Sequence, residues 1–279
     1  MSPPASPRAR WLGPRAPVLG LGVSAITFRD ALDALDAFVR ARRPHYVCIT
    51  GVHGVIESRS DPQLRAIHEA AALVTPDGMP LVFMANRLGF GPVERVYGPD
   101  LMRAVCSDSP RRGYRHFLYG GAPGVAEGLA EVLRRRYAGI AVVGTHCPPF
   151  RPLTDAEDAA VVAEINAAKP DIVWVGLSTP KQERWMSAHL GRIDAPVMIG
   201  VGAAFDFLAG TKRQAPRWMQ RSGLEWLFRL ATEPRRLARR YASIVPRFLL
   251  LAGLQLARHA LAGSRRGGRR DPEHGPARG

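Results

Sequence analysis

Two short apolar runs, 172–175 and 197–201, each end in a small, polar, glycine-bearing turn, within KPDIVWVGLSTPKQERW and APVMIGVGAAFDFLAGTKRQAP. Apolar runs of this length between turn signals read as strands buried on both faces, and such strands belong to parallel sheets. Ligands bind at the carboxyl edge of open α/β sheets. The two turns therefore carry Gly176, Gln182, Gly202 and Asp206 as candidate ligand residues. In the first turn Thr179 is an expected N-cap, Pro180 suits the first helical position, and Gln182 stands where a capping box takes Glu or Gln. Gln182 as a simple cap and Asp206 as a simple turn former are the competing readings.

The same alternation runs through most of the chain. Thr27-Phe28-Arg29-Asp30 resembles a capping box and opens a helix carrying Leu32, Leu35, Phe38 and Val39 at helical spacing. Residues 45–50 read as a strand, and Asp61-Pro62 starts a helix that leads to a short strand at 73–75. Pro76-Asp77-Gly78-Met79-Pro80 is a turn dense in breakers. Helices are expected around 81–88 and 100–106. A strand follows at Phe117, then a glycine turn through Gly120, Gly121 and Gly124 and a helix over 125–137. A strand at 140–144 and a helix capped by Thr154-Asp155-Ala156-Glu157 complete the pattern. Strand and helix in turn predict an α/β fold: a Rossmann-like, mostly parallel sheet with helices on both faces and right-handed crossovers. After about residue 211 only helical signals remain. The expected divisions are a disordered Pro/Arg-rich tail (1–17), an α/β domain (18–210), a basic amphipathic helical appendage (211–262) and a disordered basic tail (263–279).

The net charge of +15 is concentrated at the two ends. Residues 1–15 carry three Arg and no acid, and residues 211–279 carry sixteen Lys or Arg against four acids. The stretch between holds twenty of each sign, so the body is neutral. A nucleic-acid-binding module would place its basic residues on the folded domain, which argues against that class. The basic end is interleaved with Leu224, Trp226, Leu227, Leu230, Leu237, Tyr241, Ile244 and Phe248-Leu249-Leu250-Leu251. Cationic, amphipathic, aromatic-bearing segments suit the interface of an anionic membrane. The run 248–257, broken by Gln255, is too short to span one. An ordinary solvated basic helix packed on its own domain is the competing reading.

Residues 18–25 have the size of a weak signal-peptide core but contain Gly and Ser and run on into a helical pattern, which argues against cleavage. A cytoplasmic protein touching the inner face of the cell membrane is the expectation. Cys48, Cys106 and Cys147 form no CxxC and leave an odd count, so no disulfide framework is expected. The eight histidines show no zinc-like spacing.

Three features bear on chemistry. Glycines at 120, 121 and 124 let backbone amides approach a phosphate at the following helix N-terminus. That turn is neither GxGxxG nor a P-loop, and no acidic residue follows at the dinucleotide spacing, which argues against a nucleotide-binding oxidoreductase. Asp77, after a strand and among apolar neighbours, is poorly solvated and so usable as a base; an Asx-turn or helix cap is the alternative. No Asp-x-Asp occurs, so a departing diphosphate needs arginines in place of a divalent cation. Arg235, Arg236, Arg239 and Arg240 supply that charge, with Arg236 and Arg240 on one helix face and Arg235 and Arg239 on another.

Together the segments VTPDGMPLV, ERVYGPDLM, FLYGGAPGVAEGLAEVL, KPDIVWVGLSTPKQERW, IGVGAAFDFLAGTKRQAPRWMQRSGLEWLFRL and EPRRLARRY resemble the WecG/TagA/CpsF family of bacterial glycosyltransferases over roughly residues 20–245. The resemblance implies a Rossmann-like catalytic domain and a helical appendage that docks on the membrane. It implies metal-independent, inverting transfer from a UDP-sugar to a polyprenyl-diphosphate-linked saccharide in cell-surface polysaccharide synthesis, with no cofactor. Asp77 matches the family's general base, Thr50 a threonine near the sugar, Gln182 and Asp206 pocket positions, and the 235–240 arginines a diphosphate clamp. Members often carry Asn close after the threonine, whereas Gly51-Val52-His53 follows here. N-acetylmannosamine, its uronic acid, glucuronic acid and glucose thus all stay open as the transferred sugar, as does homo-oligomerisation.

Overall fold

A computed structural model describes residues 13–267, with side chains to residue 262. In chain order the elements are β1 (Arg15–Val18), β2 (Leu21–Ser24), α1 (Phe28–Ala41), β3 (His45–Thr50), α2 (Val52–Ser60), α3 (Pro62–Ala70), β4 (Leu73–Pro76), α4 (Met79–Arg87), α5 (Gly98–Arg112) and β5 (Arg115–Gly120). They continue with α6 (Val125–Arg136), β6 (Ala141–His146), α7 (Asp155–Ala167), β7 (Ile172–Gly176), α8 (Lys181–His189), β8 (Val197–Gly200), α9 (Ala204–Ala209), α10 (Arg217–Ser222), α11 (Glu225–Thr232) and α12 (Pro234–Gly267).

Six strands form a parallel sheet in the order β4-β3-β8-β7-β5-β6. Because successive side chains point to opposite faces, each central strand feeds two cores. On one face lie Val47, Ile49, Ile172, Trp174, Val197 and Ile199. On the other lie Tyr46, Cys48, Val173, Val175 and Met198. Burying each such side chain contributes about 1.5–3 kcal/mol, so continuous apolar runs are the expected signature of these strands. The helix starts follow the sequence chemistry. Thr27 and Asp30 form a reciprocal capping box on α1, Thr154 and Glu157 do the same on α7, and the Asp61 carboxylate accepts from the Leu64 amide at α3.

Three features depart from the sequence expectations. The boundary at 17/18 falls inside a hairpin: β1 and β2 pair antiparallel, and Ala16, Val18, Leu21 and Val23 are buried in the second core. The helix α2 occupies a stretch where no separate helix is expected; its apolar and polar residues follow no clean amphipathic period. Finally, α12 is one helix through Gly267, into the stretch assigned to a basic tail. Residues 1–12 and 268–279 of the two assigned tails lie outside the described residues.

Helix α12 packs through Leu237, Ile244, Phe248 and Ala252, spaced to share one face. The Gln255 amide clasps the hairpin turn, accepting from the Leu19 amide (2.9 Å) and donating to the Pro17 carbonyl (2.6 Å). The opposite face exposes Leu249, Leu250, Leu254 and Leu261. By length and composition Pro234–Ala262 suffices to cross a membrane. The run 248–257 on its own stays too short to span; the longer stretch qualifies because the helix continues on both sides of it.

Candidate functional site

The carboxyl ends of β3, β4, β7 and β8 open into a cavity of about 290 Å³, roofed by the loop before α5 and by α10, α11 and α12. Its floor is the crevice that the two glycine-bearing turns predict. Gly51 and Gly78 cap α2 and α4 with no side-chain hydrogen bond to the helix amides. Both residues line the cavity, so two helix N-termini turn their partial positive charge on its contents.

Asp77 sits at the centre. Thr50 and Pro76 are register partners across β3 and β4, and the Asp77 amide donates to the Thr50 carbonyl (3.0 Å). The carboxyl Oδ1 is buried without a hydrogen-bond partner. Burial pushes the carboxyl up to about 6, opposed by Arg95, raised further by Glu225, and opposed again by Arg229 and the Gly98 amide. A carboxyl with that pKa is a working base near neutral pH.

Of the other expected site residues, Gln182 lines the cavity together with Ser178 and Thr179. It does not cap α8, for which Pro180 is the cap residue. Its Oε1 accepts from the Gly202 amide (3.0 Å) and its Nε2 donates to Glu183 (3.1 Å), so it ties the end of β8 to α8. The Thr179 hydroxyl is likewise drawn to Glu183 (2.9 Å), away from the helix amides. Gly202 lines the cavity. Thr50 is buried and is not among the lining residues; its carbonyl accepts from the Asp77 amide.

Several expected residues lie outside the cavity. Gly120 adopts φ +114°, and a Cβ there would come within 2.8 Å of the Gly176 backbone. A Cβ at Gly176 would come equally close to the Phe205 ring. Gly121 packs on Val125 and Phe205, whereas Gly124 takes a left-handed φ of +79° as the cap residue of α6 with open space around it; the glycines that face the cavity are Gly51, Gly78 and others of its lining. Asp206 pairs with Lys212 (3.2 Å), and its carbonyl accepts from the Thr211 and Lys212 amides. The arginine cluster is divided as helix geometry requires: Arg236 and Arg240 line the cavity, whereas Arg235 and Arg239 are exposed elsewhere on α12.

The roof also contains residues to which the sequence assigns no site role. Arg95 donates through Nε to the Asp77 carbonyl, through Nη1 to the Gln220 carbonyl (3.2 Å) and through Nη2 to Glu225 (2.6 Å). Its guanidinium lies over the Tyr97 ring, 4.1 Å from the centroid, and the Tyr97 hydroxyl donates to Glu225 (3.2 Å). Arg229, Trp226 and Tyr241 complete the roof. On the opposite wall His53 is held down at about 4 by burial and by Arg240. Residues so distant in sequence meet only through the docking of the appendage. Among the described residues no group of three or more His, Cys, Asp or Glu could hold a metal ion.

A parallel sheet with a carboxylate in an arginine-roofed crevice at its carboxyl edge places the chain among α/β enzymes that work at a sheet edge. More specifically, it belongs to the WecG/TagA/CpsF family of glycosyl transferases, whose family model matches residues 16–262. It is also similar to proteins of Staphylococcus aureus, strains NCTC 8325 / PS 47 and COL, each named N-acetylglucosaminyldiphosphoundecaprenol N-acetyl-beta-D-mannosaminyltransferase. Each is 31% identical over 176 residues, covering 63% of this chain and 67% of the relative.

Proposed function

We propose that this chain transfers a sugar from a UDP-sugar to a saccharide carried on a polyprenyl diphosphate, with inversion at the anomeric carbon and no metal ion. The observation that carries this reading is Asp77: a carboxyl raised to about 6 by burial, in a cavity that also holds Arg229, Arg236 and Arg240. The acceptor hydroxyl gives its proton to the Asp77 carboxylate while its oxygen attacks the anomeric carbon. The bond from that carbon to the diphosphate oxygen breaks on the opposite face, and UDP leaves with the electron pair. Arginines and the N-termini of α2 and α4 stabilise the charge that develops on the diphosphate, the task a divalent cation performs in other transferases. Gln182 and His53 face the sugar, and Thr50 holds the base in place from behind.

The acceptor class follows from the relatives' names and from the exposed leucines of α12, which suit a helix lying in the membrane interface beside basic residues. On this reading the enzyme works peripherally at the inner face of the membrane and builds cell-surface polysaccharide. The test is transfer from a panel of UDP-sugars to a polyprenyl-diphosphate-linked N-acetylglucosamine acceptor with EDTA present. Product with one donor, undiminished by EDTA and with inverted anomeric configuration, is the expected result. Turnover that requires a divalent cation, or retained configuration, refutes the mechanism.

A further inference from the structure

Arg95 sits beside the base yet makes no hydrogen bond to its carboxylate. Its three donor groups go to the Asp77 carbonyl, the Gln220 carbonyl and Glu225. The ion pair with Glu225 is largely shielded from water, both side chains being 15% exposed. The second Glu225 oxygen accepts from the Tyr97 hydroxyl, so both carboxylate oxygens are held. Meanwhile Asp77 Oδ1 is buried with no hydrogen-bond partner.

We propose that Glu225 is a positioning residue that draws the Arg95 guanidinium away from the Asp77 carboxylate and so keeps that carboxylate free to accept a proton. The assignment rests on Asp77 being the base of the proposed transfer. A guanidinium that close to a buried carboxylate with an unpartnered oxygen turns to it when its own counter-ion is removed, because an uncompensated buried charge is costly. The carboxylate then becomes a charge-paired acid of low proton affinity. Glu225 belongs to α11 and Asp77 to the turn after β4, so the base is tuned by the element that roofs it. Besides Asp77 and Glu225, the charged and titratable groups around the cavity are Arg95 and Tyr97 from the loop before α5, Arg229 on α11, Arg236, Arg240 and Tyr241 on α12, and His53 on α2.

The experiment is a carboxyl ¹³C titration of the full chain labelled at Asp, with the Asp77 signal assigned by its loss in Asp77→Asn. In Glu225→Gln the Asp77 midpoint should fall by about one pH unit or more, and Glu225→Asp should restore part of it. Loosening of the appendage would also lower the midpoint, by admitting water. The double variant Arg95→Gln/Glu225→Gln separates the two, because removing the guanidinium returns the midpoint to the wild-type value or above it. A midpoint unmoved in Glu225→Gln, or equally low in the single and double variants, overturns the proposal. The titration needs no substrate. Failure of sugar transfer with this pattern intact therefore counts against the transferase reading and leaves the Glu225 assignment standing.

Discussion

Asp77→Asn should make the protein more stable above neutral pH while removing its activity. Raising a carboxyl from 3.8 to about 6 corresponds to about 3 kcal/mol of differential interaction. The sign follows from proton binding. Between pH 4 and 6 the native state holds a proton that the unfolded state has released, so stability falls as pH rises through that window. Above it the wild type carries the whole cost of a buried carboxylate. Asn keeps the shape and carries no charge, so the variant escapes that loss. Because the cavity opens to water, about 2 kcal/mol is the more realistic gain at pH 8, or about 4–8 °C in Tm for a chain of this size. At pH 4 the wild-type carboxyl is protonated and the difference should nearly vanish. Differential scanning calorimetry of both proteins from pH 4 to 8 measures this directly. The same substitution should lower kcat by about 10² to 10⁴ and leave the dissociation constant for UDP within about twofold, since the base acts on the acceptor. A Tm difference independent of pH, or a variant less stable at pH 8, refutes the burial argument. Activity above about one tenth of wild type refutes the base assignment.

Arg236→Ala and Arg240→Ala should each weaken UDP binding by about tenfold or more, the value of a charge-assisted contact in a partly desolvated site, as read by isothermal calorimetry. Arg235→Ala and Arg239→Ala should leave UDP binding unchanged and instead weaken binding to anionic vesicles, by about 1 kcal/mol each in a sedimentation assay. His53, held at about 4 against an ordinary 6.5, must stay neutral to remain folded in place. Its contribution is whole above pH 6.5 and is lost as pH falls towards 4, up to about 3 kcal/mol. His53→Gln should flatten the stability profile over that range in urea titrations, and an unchanged slope shows that the imidazole is not desolvated.

The legible parts of the chain are those whose chemistry is local. The capping boxes at Thr27 and Thr154 satisfy helix amides three residues away, so spacing alone reveals them. The central strands announce themselves because both faces are buried, which leaves apolar runs without alternation. Asp77 was recognisable because a strand end, a proline and a glycine together fix where its carboxylate sits. What failed to show in sequence depends on distant partners. Gln182 has the spacing of a cap, but the Gly202 amide competes for its side chain and wins. The Gly120 turn has the look of a phosphate loop, yet Gly120 itself is required by the close approach of the Gly176 backbone. Arg95 and Glu225 lie within the family-like segments, but nothing local assigns them a role, since their meaning lies in a contact across 130 residues.

The division of the arginines shows what the appendage adds to the α/β domain. A helix repeats every 3.6 residues, so four arginines at 235, 236, 239 and 240 cannot serve one ligand together. Two line the cavity, and two remain outside it with the basic character that marks the end of the chain. Further along the same helix, Phe248 and Ala252 face the domain while Leu249, Leu250 and Leu254 face outward. The Gln255 clasp on the β1–β2 turn fixes the rotation of that helix, and so fixes which arginines look in and which leucines look out. Any surface that engages the outward leucines then bears on the same helix that carries Arg236 and Arg240 in the cavity lining. The cavity lining and the outward leucines thus share one helix, with Pro246 inside it between the two.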